Sequence, residues 1–179
     1  MNPTKRFLIL LSIFGCSTML AAAHDPDCAN LRDRRDEMEQ CCQVDLIIPL
    51  KDAEDCAGSG ESSNPFEQMI CTFECKLLSL GVLNGDEIVQ SKLLEYANRL
   101  EEGWKETAIN IANNCTEMAT NMMAKMKGKV QDAKCSPIGS MLMTCVMKNT
   151  FDQCPEGKWQ DTTFCNKIRS GECFKRRGD

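Results

Sequence analysis

The chain has 179 residues, with 21 lysines and arginines against 26 aspartates and glutamates, a formal charge of −5. Its only basic cluster, Lys175-Arg176-Arg177, sits at the extreme end, so the chain is a poor match for nucleic acid or anionic lipid. The single histidine, His24, lies next to a leader-like segment, which argues against Ser-His-Asp or Cys-His catalysis and against histidine-ligated metals.

Taken in order, Lys5 and Arg6, the apolar run 7–14 and Ala21-Ala22-Ala23 read as a secretory signal peptide over residues 1–23. The apolar run is too short to anchor in a membrane, and no later stretch is apolar enough to span one. The mature chain is then a single domain over 24–179, secreted into extracellular fluid. Cys16 leaves with the leader. Twelve cysteines remain: Cys28, Cys41, Cys42, Cys56, Cys71, Cys75, Cys115, Cys135, Cys145, Cys154, Cys165 and Cys173. An even number in a secreted chain points to six disulfides. A zinc site fits poorly, because nothing resembles repeated C-x2-C with histidines. Six bridges exceed what a core of this size needs, which leaves extracellular durability or an unfilled interior as the reason for them.

Asp27 reads as the cap of a first helix carrying Cys28, Leu31, Met38 and Cys42 at helical intervals. Cys41 and Cys42 point about 100° apart on a helix and should take different partners. Residues 44–50, interrupted by Pro49, read as a short irregular apolar segment, and 57–63 as an exposed loop. Residues 64–81 read as a helix: Asn64 caps it, Pro65 opens it and Gly81 ends it, with Phe66, Ile70, Phe73, Leu77 and Leu80 on one face. Cys71 and Cys75, one turn apart, flank that face. Asn84-Gly85 marks a turn, read as a helix–helix connection rather than a hairpin.

A helix over 91–102 should bury Leu93, Ala97 and Leu100 beside Tyr96, with Gly103 as its break. The next has the cleanest pattern, Trp104, Ala108, Ile111, Cys115, Met118, Met122 and Met126, ending at Gly128. Ser136-Pro137 opens the last long helix, whose face holds Ile138, Met141, Leu142 and Cys145. Beyond Cys154 the pattern fades into an irregular tail, 155–179, tied down by Cys165 and Cys173. No strand is expected. The fold class is all-α, a compact disulfide-stapled bundle of about six or more helices.

No enzymatic role, cofactor or metal is expected. There is no phosphate-binding loop or EF-hand spacing, and the acid pairs Glu101-Glu102 and Asp86-Glu87 sit at helix ends. Asn114-Cys115-Thr116 matches a glycosylation sequon, but its middle cysteine is expected to be bridged and partly buried, so the match is discounted. Methionine stands out: Met118, Met122, Met123, Met126, Met141, Met143 and Met147 fall in two neighbouring helices. Its flexible, polarizable side chain suits irregular apolar guests, although for any one of them ordinary core packing is the simpler role.

The cysteine ladder carries a resemblance. Cys71-x3-Cys75 is followed after thirty-nine residues by Cys115, and Cys145-x8-Cys154 comes later, with the stretch 77–88 between. This resembles the insect odorant-binding proteins. Cys135, Pro155 directly after Cys154, and the added Cys165 and Cys173 make it similar to the Plus-C subclass, with the resemblance covering 28–173. It implies a helical bundle around an apolar cavity that carries small hydrophobic ligands such as odorants or pheromones. The partners it implies are that ligand and a membrane odorant receptor, with dimerisation left open. It also implies bridges between Cys41 or Cys42 and Cys75, between Cys71 and Cys145, and between Cys115 and Cys154, with the other six cysteines unassigned.

The pocket walls expected on this basis are Phe66, Ile70, Phe73 and Leu77; Trp104, Ala108, Ile111, Met118 and Met122; and Ile138, Met141 and Leu142. The tied tail is expected to act as a permanent wall, with ligand release only weakly dependent on pH. The alternative is a secreted interaction protein that uses the same scaffold as a binding surface.

Overall fold

The computed structural model describes residues 28, 31, 33–56, 58–59, 64–126, 128 and 133–174. The expected leader, the Asp27 cap and the basic cluster at the end lie outside the described residues. The elements run α1 (Arg35–Glu39), α2 (Pro65–Ser79), β1 (Leu83–Asn84), β2 (Glu87–Ile88), α3 (Gln90–Asn98), α4 (Glu102–Met126), α5 (Ile138–Asp152) and α6 (Thr163–Arg169), then a 3-10 turn, Glu172–Phe174.

The termini of α2 follow from their sequence. The Asn64 side chain accepts from the Phe66 N–H at 3.0 Å, satisfying one orphan donor of the first turn. At the other end Val82 N–H donates to Leu77 O and Gly81 N–H to Leu78 O. These are the two bonds of a Schellman cap, with Gly81 at φ +69 as its left-handed residue. The cap turns the chain into β1, which pairs antiparallel with β2 (Leu83 opposite Ile88, Asn84 opposite Glu87). The Asn-Gly turn is therefore a minimal hairpin, not the plain helix connection expected, because Gly85 at φ +59 lets the chain reverse tightly.

Three other boundaries differ from expectation. Among the described residues the first α-helix runs only over Arg35–Glu39, and Cys41 and Cys42 lie beyond it. The break between α3 and α4 falls at residues 99–101, ahead of Gly103, because Glu101 O receives the first N–H groups of α4 from Trp104 and Lys105. The tail is not irregular throughout: Thr162 accepts from Cys165 N–H at 3.1 Å and opens α6.

Helix α4 packs on α3 and α5, and α2 packs on α5. Their shared interior holds Leu77, Leu93, Trp104, Ile111, Ile138 and Leu142, together with Ile47, Ile48 and Leu50 from the irregular segment 44–52. A second, smaller core lies at the chain ends, built from Cys41, Cys42, Phe151, Cys154, Phe164, Cys165 and Ile168. Arg34 covers it with its guanidinium 3.7 Å from the Phe164 ring centroid.

The six bridges divide between these two cores. Cys56–Cys75, Cys71–Cys135 and Cys115–Cys145 each overlap the next in sequence and interlace the bundle. Cys28–Cys173, Cys41–Cys165 and Cys42–Cys154 are nested, each inside the last, and clasp the N-terminal segment to the C-terminal one. Cys41 and Cys42 do take different partners. All three bridges implied by the resemblance are replaced. Cys75 is held by Cys56 across a separation of 19 residues, Cys71 by Cys135 ahead of α5, and Cys145 faces Cys115 across the α4–α5 contact, leaving Cys154 for Cys42.

Candidate functional site: a groove beside the third helix

The expected pocket walls serve mainly as packing faces. Leu77, Trp104, Ala108, Ile111, Ile138 and Leu142 meet in the bundle interior, each 2 % exposed or less. Phe73 and Met141 are half-buried against that interior, and Ile70 and Met118 are also half-buried. Phe66 and Met122 lie on the surface at 63 % and 43 % exposure. Beyond Ala119 no residue described on α4 is fully buried: Met122 lies on the surface, while Met123 is half-buried against the edge of the core.

Two concavities lie instead on either side of the segment 44–52. The larger, about 750 Å³, is an open-sided groove between α1, this segment and the C-terminal end of α3. Its apolar floor is Val44, Leu46, Pro49, Leu50, Tyr96 and Leu100. Asp36, Glu39, Asp45 and Asp52 contribute four carboxyl groups to its rim, against two bases, Lys51 and Arg99. The smaller, about 30 Å³, is an apolar seam between the two cores, lined in part by Leu46, Leu50, Met143, Met147 and Phe151. Leu46 and Leu50 face both spaces, so the segment forms a thin partition between a wide mouth and a narrow throat. None of the twelve expected pocket residues lines either space.

Local bonds fix the groove walls. Trp104, fully buried, donates from Nε1 to Asp45 O at 3.3 Å and ties the partition to α4. The Tyr96 hydroxyl donates to Leu80 O at 3.1 Å, holding its ring against the groove. Lys92 and Arg99 stand 5.1 and 5.6 Å from that ring's centroid. Both also pair with Glu95, Lys92 at 2.9 Å. The hydrogen bond from Lys92 holds the Glu95 carboxyl below its ordinary range; desolvation opposes it, and the charges of Lys92 and Arg99 and a hydrogen bond from Arg99 add to the lowering.

Neither a protein-family model, nor a curated protein, nor a solved structure matches the chain. The site therefore has to be read from its own chemistry. An apolar floor inside a charged rim can shield a small greasy molecule from water while leaving polar atoms of the guest at the mouth. Among the described residues no group of three or more histidine, cysteine, aspartate or glutamate side chains is placed to hold a metal ion. No helix among them is long and apolar enough to cross a membrane. Six disulfides suit an oxidising, extracellular setting.

The periodicity of 64–81 and 104–126 drew attention to the helices, whereas the groove is built from a segment without periodicity. The signal that could have found it is the apolar run 44–50 itself. An apolar stretch that cannot be helical must still be covered, and Tyr96 and Leu100 cover it on one side only.

Proposed function

We propose that the protein is a secreted carrier of small hydrophobic ligands, similar to the odorant-binding proteins and their Plus-C subclass, and that it holds its guest in the groove beside α3. The observation that carries this reading is the interlaced bridge pattern. The resemblance implied that six cysteines pair first with third, second with fifth and fourth with sixth. That order recurs in Cys56–Cys75, Cys71–Cys135 and Cys115–Cys145, on a shifted set of six. The nested clasp then corresponds to the additional cysteines. The groove volume of about 750 Å³ lies within the range of small-molecule sites.

Carriage is burial without bond-making. A guest that removes about 250 Å² of apolar surface from water gains about 6 kcal/mol at about 25 cal/mol per Å², before ordering costs. That corresponds to affinities in the tens of micromolar or weaker. Titration with an environment-sensitive naphthylamine probe tests the reading. Saturable binding, weakened about fivefold by Leu46→Ala, is expected, and no saturable binding up to about 1 mM contradicts it.

The open side and half-polar lining of the groove favour a second reading, a secreted interaction protein that engages a peptide segment rather than a small molecule. Under that reading the apolar probe does not bind saturably and a polar partner does.

A further inference from the structure

Asn114-Cys115-Thr116 is the one motif of the sequence that the groove and the bridges do not absorb. On α4, Cys115 is fully buried and bonded to Cys145, and Thr116 is buried with its hydroxyl donating to Ala112 O at 2.8 Å. Asn114 points the other way. It is exposed, as are Asn110, Glu117 and Asn121 at helical spacing around it, so the polar face of α4 carries the acceptor amide out of the fold.

We infer that Asn114 is an N-glycosylation site, modified before the bundle closes. The objection to the sequon is the bridge at its middle residue, but that bridge forms late. Cys145 lies 30 residues further along the chain. At about 5–20 residues per second, Cys115 waits about 2–6 s before its partner is even synthesised. During that interval α4 has no α5 to pack on, and the Thr116 hydroxyl is accessible to a transferase. The donor is an oligosaccharide on a lipid pyrophosphate. Asn114 Nδ2 forms a bond to the sugar C1, the C1–O bond to phosphate breaks, the lipid pyrophosphate leaves, and the amide proton passes to a base of the transferase. No electron transfer is involved. Once folding is complete, the glycan occupies open solvent beside Asn110 and Glu117. No residue lining the groove comes from α4, so the mouth stays clear.

The test is to express the full chain in a eukaryotic secretory host and recover it from the medium. The peptide spanning residues 106–125 should carry one oligosaccharide on most molecules, with Asn114 converted to aspartate on enzymatic release. Asn114→Gln should remove the mass without lowering secretion, Thr116→Ala should remove it, and Thr116→Ser should retain it. Naphthylamine affinity should stay within about twofold after glycan release. A mostly unmodified peptide, a glycan that survives Thr116→Ala, or failure of the protein to reach the medium would each overturn the inference. Loss of probe binding with the glycan in place counts against the carrier reading alone.

Discussion

Cys42 faces Trp159 across an isolated antiparallel bridge, and its sulfur is bonded to Cys154. Gln43 N–H donates to Lys158 O and Gln160 N–H to Cys41 O, so two remote segments run side by side and are stapled there as well. The clasp is thus a small folded unit with its own backbone pairing, apolar core and bridges.

Nesting changes what each clasp bridge contributes. A lone bridge closing about 100 residues would stabilise by about 4.7 kcal/mol in the chain-entropy account, and one closing about 15 residues by about 3. With Cys41–Cys165 intact, Cys42–Cys154 closes only the short path through residues 154–165. Replacing Cys42 and Cys154 together by serine should therefore cost about 3 kcal/mol in denaturant unfolding. A loss near 5 kcal/mol would mean that the bridges act independently.

Trp104 links the bundle to the groove. Trp104→Phe keeps most of the apolar bulk but removes the bond to Asp45 O. Its expected cost is about 1–2 kcal/mol, with a weaker naphthylamine affinity because the partition is released from α4. Unchanged affinity in a folded Trp104→Phe protein would detach the partition from the site.

Gly139 lies where α5 packs tightly against α2 and β1. A Cβ there would meet Leu77 Cδ1 at 3.2 Å, Leu83 Cδ1 at 3.3 Å and the Glu74 backbone nitrogen at 3.4 Å. Gly139→Val adds further methyls to that space and should destabilise by about 2–3 kcal/mol, read from the unfolding midpoint. A neutral effect would show that the α2–α5 contact is loose.

The sign for Glu95 follows from its lowered pKa. Its ion pairs with Lys92 and Arg99 contribute stability above the ordinary carboxylate range, and that contribution is lost as pH falls through the depressed value. An NMR titration of its side-chain carboxyl carbon should give a midpoint below 4.5, the unperturbed reference, and a midpoint above it would contradict the pairing.

The residues that announce local structure were readable in advance. Asn64 and Gly81 bound α2 as their chemistry requires, Gly128 follows the end of α4, and Pro137 precedes α5. Pairings were not readable, because a bridge reports tertiary proximity. Cys135-x9-Cys145 and Cys145-x8-Cys154 have almost the same spacing, and the ladder was matched to the second when the interlaced bridges use the first. The concavities fall away from the expected walls for a related reason. Periodicity shows that Ile111 and Leu142 face inward, but not whether another side chain or an empty space lies opposite. Here Leu77, Trp104 and Ile138 share that interior with them. The groove depends on Leu46 and Leu50 meeting Tyr96 and Leu100 across the fold, a juxtaposition without any local signature.

The carrier reading and its location can be tested in one NMR titration, following side-chain methyls as the naphthylamine probe is added. Saturable shifts at Leu46, Leu50 and Leu100, with those of Leu77, Ile111 and Leu142 unmoved, are the predicted result. Shifts confined to Leu77, Ile111 and Leu142 would place the guest inside the bundle, and no saturable shift at either set would contradict carriage altogether.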